Sequence, residues 1–213
     1  MEAMLTEKYR PKTLREVVGN TKAIKSLWAF SKDPRPEAFL LKGAPGIGKT
    51  SAALALANDL KIGPMDCQDY SGQEIGEREV EEIFRTLRHY PFESKWRIVI
   101  INEADKMTMA AQVLCMQYLE KLPKHGIVVM TSNDADAFEP RFLSRLTVIH
   151  FTTQGLKQVA QDLLGRICEL EGATIDPKVI ARLVEASRNN IRTALKGISL
   201  EILEAAGEGF TLG

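Results

Sequence analysis

Lys49 and Thr50 close the run Gly43-Ala44-Pro45-Gly46-Ile47-Gly48-Lys49-Thr50, the stretch of the chain whose residue types and spacing are most specific to one chemistry. Glycines let successive backbone N–H groups turn inward around an anion. A helix starting at the end of such a run aims its positive end at the same charge. Lys49 then reaches the β- and γ-phosphates of a nucleotide, and the Thr50 hydroxyl takes a place on Mg²⁺. With ordinary glycine usage, a chance match in a chain this long is an event of about one in a hundred. The flanks agree: Ala38-Phe39-Leu40-Leu41 is an apolar run of strand length, and Ser51-Ala52-Ala53-Leu54-Ala55-Leu56-Ala57 has helical character. Gly43, Ala44, Pro45, Gly46, Ile47, Gly48, Lys49, Thr50 and Ser51 are therefore candidate contacts to ATP, with Thr50 also a candidate Mg²⁺ ligand.

Such a loop needs an acid near the metal and a group that aims the attacking water. The run Ile98-Val99-Ile100-Ile101 ends in Asn102-Glu103-Ala104-Asp105, and Glu103 is the candidate general base. Asn102 stands where an aspartate ordinarily assists the Mg²⁺ shell. An amide keeps an oxygen but loses the charge, so weaker metal binding is expected, and Asn102→Asp is expected to raise turnover. Thr131-Ser132-Asn133 lies at the tip of the next apolar run, where Asn133 can reach the γ-phosphate or its water. Arg145 follows Ser144 shortly after, and an arginine supplied by a neighbouring subunit accelerates phosphoryl transfer by roughly 10³–10⁵. Arg192, near the start of the last helical segment, can approach the γ-phosphate from the other side.

The elements that must position these groups follow from periodicity. The segment through Gly19, basic and broken by Pro11, reads as a loop or arm. A helix is expected from an N-cap at Thr21 to about Ser31, with Ile24, Leu27 and Trp28 on its apolar face. Strands are expected at 38–41, 96–102, 126–131 and 148–151; their continuous apolar runs suit a parallel sheet covered on both faces. Helices are expected over 75–89, with Val80, Ile83, Phe84 and Leu87 as the stripe, and over 109–121. From about Gly155 the pattern is helical throughout: Leu156–Leu170, Pro177–Ser187 and Ile191–Ala205. The expected organisation is an α/β nucleotide-binding domain over 1–153 and a small helical lid domain over 154–213.

Composition narrows the partners. Twenty-eight lysines and arginines balance 28 aspartates and glutamates, so any contact to DNA must come from a local patch rather than a global field. Cys67, Cys115 and Cys168 are isolated, which implies neither a zinc site nor a disulfide framework. Free thiols, no signal-peptide pattern and no apolar run of membrane length lead to the expectation of a reducing compartment, cytoplasmic or nuclear, and no membrane partner.

The order of these motifs, read with Glu7-Lys8-Tyr9-Arg10-Pro11-Lys12-Thr13-Leu14 and Val17-Val18-Gly19, resembles the AAA+ ATPases of the sliding-clamp loader group. Within it the likeness is to the small subunits of replication factor C, and it runs from about Leu5 to about Leu203. The resemblance implies that Tyr9, Arg10, Pro11, Val17 and Val18 contact the adenine. It implies that Asn102-Glu103 are the Walker B pair, Asn133 is sensor 1 and Arg145 acts in trans. Asn190-Ile191-Arg192 falls on the sensor 2 motif, and Ser71-Gly72 resembles the segment after the family's second strand. It also implies an oligomer with like or related AAA+ subunits, with DNA and a sliding clamp or other replication protein as partners. The departures are Leu146 in place of a cysteine after Ser144-Arg145, and Cys115-Met116-Gln117 where a basic pair usually faces DNA. A third, helical collar domain would lie beyond the end of this chain.

Two functions of different class follow. One is a clamp-loader-like ATPase that couples ATP binding and hydrolysis to remodelling of a DNA–protein complex. The other is an ATP-held oligomeric scaffold that turns over slowly, which Asn102 and the missing basic pair favour. A helicase-loader or transposition regulator would use the same core with another partner, and a small-molecule kinase would leave Arg145 and the helical tail without a role.

Overall fold

The apolar runs of the strands are continuous because helices cover both faces of the sheet. β1 (Glu37–Lys42) shows the logic: Phe39 and Leu41 enter one hydrophobic cluster, Ala38 and Leu40 the other. The same alternation divides β3 (Arg97–Asn102), with Ile98 and Ile100 on the first side and Val99 and Ile101 on the second. β4 (Gly126–Ser132) repeats it through Ile127 and Val129 against Val128 and Met130. With β2 (Cys67–Ser71) and β5 (Thr147–His150) these strands make one parallel five-stranded sheet in the order β2-β3-β4-β1-β5. The computed structural model describes residues 4–134 and 138–207; the outermost ends of the two expected domains, 1–3 and 208–213, lie outside the described residues.

On the first face lie α2 (Thr21–Lys32) and α3 (Lys49–Asp59); on the second lie α4 (Glu77–Arg88), α5 (Met109–Leu119) and the short α6 (Pro140–Leu143). The α/β fold class, a parallel sheet flanked by helices, is the one the sequence implies. α7 (Leu156–Leu170), α8 (Pro177–Ala186) and α9 (Ile191–Gly207) pack around a third cluster centred on Leu164, Val184 and Ile198. Asp176 caps α8 by accepting the Lys178 N–H, with Pro177 in the first turn, where its missing N–H costs nothing. Among the described residues no helix is long and apolar enough to cross a membrane.

Several local expectations are corrected. The arm is not irregular: α1 (Leu5–Lys8) and a 3₁₀ turn at Leu14–Glu16 structure it. Leu14 and Val17 sink into the first cluster, while Leu5, Tyr9 and Val18 pack against the helical one. The residue before α2 is Asn20 in the left-handed conformation, and Thr21 is the first helical residue. Trp28 is 37% exposed rather than core, lying between the charges of Arg15 and Lys32, and Ala23 and Phe30 take its place inside. α4 starts at Glu77, and Ile75 is buried ahead of it. Cys115 and Leu146 are core residues of the second cluster, which accounts for their apolar character where the resemblance leads one to look for other types.

β2 and α6 had no strong pattern. β2 is the edge strand and reads Cys-Gln-Asp-Tyr-Ser, too polar to stand out as a core strand. It is anchored by Asp66, fully buried, which accepts the backbone N–H groups of Phe92, Glu93 and Ser94 at 2.7–2.9 Å and pairs with Arg97 at 3.0 Å. Burial alone would raise this carboxyl, but the three N–H donors and the guanidinium outweigh it and hold it at about 2. A depressed acid stabilises the fold above its ordinary value of 3.8, and that contribution is lost as pH falls toward 2. Asp66→Ala is expected to cost about 3–5 kcal/mol, because Arg97 and three N–H groups lose their partner. Thermal denaturation near neutral pH checks this: a midpoint lowered by roughly 6–20 °C is expected, and an unchanged midpoint would show that Asp66 does not hold the 92–94 segment.

Candidate functional site

The carboxyl ends of the strands collect the polar residues. The loop after β1 turns around Gly46 and leads into α3, whose N-cap is Gly48 at φ +99°. Gly46 has φ +74°, and a Cβ there would stand 1.9 Å from the Asn190 side-chain oxygen. Only glycine lets the loop come this close to the start of α9. The closeness is used: the Arg192 N–H donates to the Gly46 carbonyl at 3.3 Å. Asn20, which sequence reasoning passed over, ties the loop from the other side. Its amide oxygen accepts from Thr152 N at 2.7 Å and its Nδ2 reaches the Ile47 carbonyl at 3.5 Å.

Between the arm, the loop and α9 lies a cavity of about 350 Å³, within the size range of small-molecule sites. The arm contributes Tyr9, Arg10, Pro11, Val17 and Val18 to its wall. The loop and first turn of α3 contribute Pro45, Gly46, Gly48, Lys49, Thr50 and Ser51. Glu103, Thr131 and Asn133 come from the strand ends, and Ile191, Arg192, Leu195 and Lys196 from α9. Thr131, Leu195 and Lys196 were not singled out from sequence. Gly43, Ala44 and Ile47 do not line the cavity: the first two turn their carbonyls to Lys49, and Ile47 is core. Tyr9 donates its hydroxyl to Glu171 at 2.5 Å, and Lys8 pairs with the same carboxylate, so the arm is fastened to the end of α7. No local sequence signal pairs Tyr9 with a residue this far along the chain.

Lys49 is 6% exposed, and its Nζ donates to Gly43 O at 2.6 Å, Ala44 O at 2.7 Å and Asn133 Oδ1 at 2.9 Å. Burial pulls the ammonium down to about 8; the Asp105 and Glu103 carboxylates oppose that shift and the Arg192 charge adds to it. Asn133 is held in turn by its N–H, which donates to Asp105 Oδ1 at 3.2 Å. Glu103 has φ +53°. Its carboxylate accepts from Lys106 at 2.5 Å and from Gln73 at 3.4 Å, and Lys106 first, then Gln73 and Arg192, hold it below the ordinary carboxylate value.

Asn102 sits beside the cavity rather than on its wall. Thr50 donates its hydroxyl to Asn102 Oδ1 at 2.8 Å, and Thr131 does so at 3.3 Å. The Asn102 Nδ2 donates to Asp69 Oδ1 at 2.6 Å. Asp69, on the polar edge strand, was missed for the reason that strand was. Among the described residues no group of three or more His, Cys, Asp and Glu could cage a metal. The oxygens present suit Mg²⁺ all the same, because that ion keeps several waters and is bound through few protein groups together with phosphate oxygens. Thr50 and Asn102 would hold it, and it would neutralise phosphate charge.

Arg145 is elsewhere. It lies after α6, outside the cavity wall, donating to Arg141 O at 2.6 Å and forming an ion pair with Glu120 at the end of α5. It contributes nothing to the wall of its own chain's cavity.

The model of the DNA polymerase III, delta subunit family matches residues 65–155. The replication factor C small subunit of Thermofilum pendens is 31% identical over 91% of this chain and 61% of its own. Replication factor C subunit 3 of Blastobotrys adeninivorans is 30% identical over 89% and 57%. The chain thus spans about three fifths of the curated relatives it matches. Among solved structures, the RuvB Holliday junction branch migration motor of Thermotoga maritima superposes with a TM-score of 0.74 at 20% identity, over 92% of this chain and 68% of that one. A DNA polymerase III gamma subunit-related protein from the same organism gives 0.65 at 18%, over 87% and 61%. At these identities the structural likeness speaks to the fold.

Proposed function

We propose that this chain is a clamp-loader-like AAA+ ATPase, a reading its likeness to replication factor C small subunits supports, and that it binds ATP with Mg²⁺ in the cavity between arm, sheet and α9. Hydrolysis there releases an assembly with like subunits that remodels a DNA–protein complex during replication. The observation that carries the reading is the Lys49 ammonium, buried and aimed by two loop carbonyls and Asn133 at the mouth of an α-helix. Tyr9, Arg10, Pro11, Val17 and Val18 take the base, and Pro45, Gly46, Gly48, Lys49, Thr50 and Ser51 take the phosphates. Glu103 orients the attacking water once its carboxylate turns from Lys106. Arg192 lies on the phosphate side from α9, and α7–α9 act as a lid domain beginning near Gly155. Arg145 serves the cavity of the neighbouring subunit.

A second reading, the slow ATP-held scaffold, is supported by Asn102 in the acid's place and by the pairing of Glu103 with Lys106. Steady-state ATP turnover by the purified chain across protein concentration, with and without primer–template DNA, separates the two. Turnover that rises with both is expected for the ATPase. Tight ATP binding with turnover near zero at every concentration would favour the scaffold, and no ATP binding at all would end both readings. A helicase-loader or transposition regulator remains a matter of the partner, decided by which DNA or protein stimulates turnover.

A further inference from the structure

We propose that Asp69 is a positioning residue that returns to this site the carboxylate charge that Asn102 lacks, acting through the Asn102 amide. The inference rests on the nucleotide reading above. A primary amide has a donor end and an acceptor end, and which one faces the metal position depends on what holds the other. Asp69 Oδ1 stands 2.6 Å from Asn102 Nδ2, and an ionised carboxylate only accepts. The NH₂ is therefore fixed toward Asp69 and the carbonyl toward the Thr50 hydroxyl, at 2.8 Å. Without Asp69 the amide would be held only by the Thr50 and Thr131 hydroxyls at its oxygen, groups that can accept as readily as donate and so fix its direction less firmly.

The charge also matters. A hydrogen bond to an ionised acceptor is about twice as strong as a neutral one and polarises the amide, adding electron density at Oδ1. The sheet makes the juxtaposition. β2 and β3 run parallel with Asp69 opposite Ile100, and Asn102 is two residues beyond Ile100 on the same face. Asp69 therefore stands beside the Asn102 amide, one strand away from the position an acid at residue 102 would occupy.

The test compares the natural chain with Asp69→Asn and with the exchange Asp69→Asn/Asn102→Asp. Affinity for a fluorescent ATP analogue is measured in EDTA and across a Mg²⁺ titration, with a thermal midpoint for each protein. Loss of a residue that supports a metal ligand typically costs 10–100-fold in metal affinity. Asp69→Asn is expected to weaken the apparent Mg²⁺ affinity by about that factor, while affinity in EDTA and the midpoint stay as they were. The exchange is expected to restore Mg²⁺ affinity, because the carboxylate and the amide have only traded strands. Asn102→Asp alone sets a second carboxylate against Asp69 and is expected to lower the midpoint in EDTA, with recovery on adding Mg²⁺. The inference is overturned if Asp69→Asn keeps its Mg²⁺ affinity, if it loses as much in EDTA, or if a folded exchange variant shows no rescue. An Asn102→Asp midpoint indifferent to Mg²⁺ also overturns it. If the natural chain binds the analogue in neither condition, the nucleotide reading falls and takes this inference with it. If the natural chain responds to Mg²⁺ and Asp69→Asn responds equally, this inference alone falls.

Discussion

Arg145→Ala is expected to lower turnover roughly a thousandfold or more at concentrations where subunits associate, while leaving ATP affinity intact. The two halves of that result have separate causes. Arg145 lies outside the cavity wall of its own chain and pairs with Glu120, so its loss removes no ligand contact there. In a neighbour's cavity it would meet the charge that develops on the transferred phosphoryl group, where a preorganised guanidinium acts mainly on the transition state. Releasing it from Glu120 is cheap, since exposed pairs are worth about 0–1 kcal/mol. Mixing makes the trans assignment decisive. Arg145→Ala subunits have an intact cavity and no arginine to give; Lys49→Ala subunits have the reverse. Each alone is expected to be nearly inactive, and the mixture to regain a substantial part of the natural rate. Mixtures as inactive as their components would place the arginine's role elsewhere.

Lys49→Ala is expected to reduce turnover by roughly 10²–10³-fold, as loss of one preorganised electrostatic donor does. It should also weaken ATP binding markedly. Gly43, Ala44 and Asn133 aim the ammonium, and all three acceptors lose their donor with it. Lys49→Arg is not expected to rescue, because a planar guanidinium does not fit a pocket built for a compact ammonium. A pH dependence follows. Burial holds the free Lys49 amine at about 8, so above that pH a growing fraction of the empty protein carries a neutral amine. Phosphates favour the charged form, so binding above about pH 8 takes up a proton and affinity falls as pH rises. Below about pH 7 the amine is already charged and affinity levels off. Calorimetric titrations in buffers of different ionisation enthalpy read the proton uptake directly. Its absence in the natural chain above pH 8, or its persistence in Lys49→Ala, would remove Lys49 from that role.

The parallel α/β fold was legible because its signals are local. Ile98–Ile101 and Ile127–Met130 are unbroken apolar runs, which only a strand covered on both faces can use. The stripe Val80, Ile83, Phe84 and Leu87 has the period of a helix against a core, and all four residues are buried. Other elements escaped for equally physical reasons. β2 lies at the sheet edge, where polar side chains are tolerated, so its composition resembled a loop. The arm holds its shape through Leu14 N–H to Asp59 and Tyr9 to Glu171, contacts whose partners lie far away in sequence. Trp28 stood at a helical spacing that fits burial, yet it lies 37% exposed with the cationic groups of Lys32 and Arg15 near its ring.

At the candidate site the division is the same. The glycine-rich loop, the lysine and the following hydroxyl could be read directly as candidate phosphate contacts, since that pattern depends on residues adjacent in the chain. The expectation that Asn102→Asp alone raises turnover acquires a condition from the tertiary structure. Asp69 stands 2.6 Å from the Asn102 amide, so the single change sets one carboxylate against another unless a cation lies between them. The sequence by itself determined the glycine-rich loop with its lysine and hydroxyl and the apolar strands on either side of it, because backbone propensity and hydrophobic period act over a few residues. Only the tertiary structure decided which carboxylate faces Asn102, where the arm docks and that Arg145 lies outside the wall of its own cavity, paired with Glu120. Those contacts depend on strand register and helix placement, and short-range spacing encodes neither.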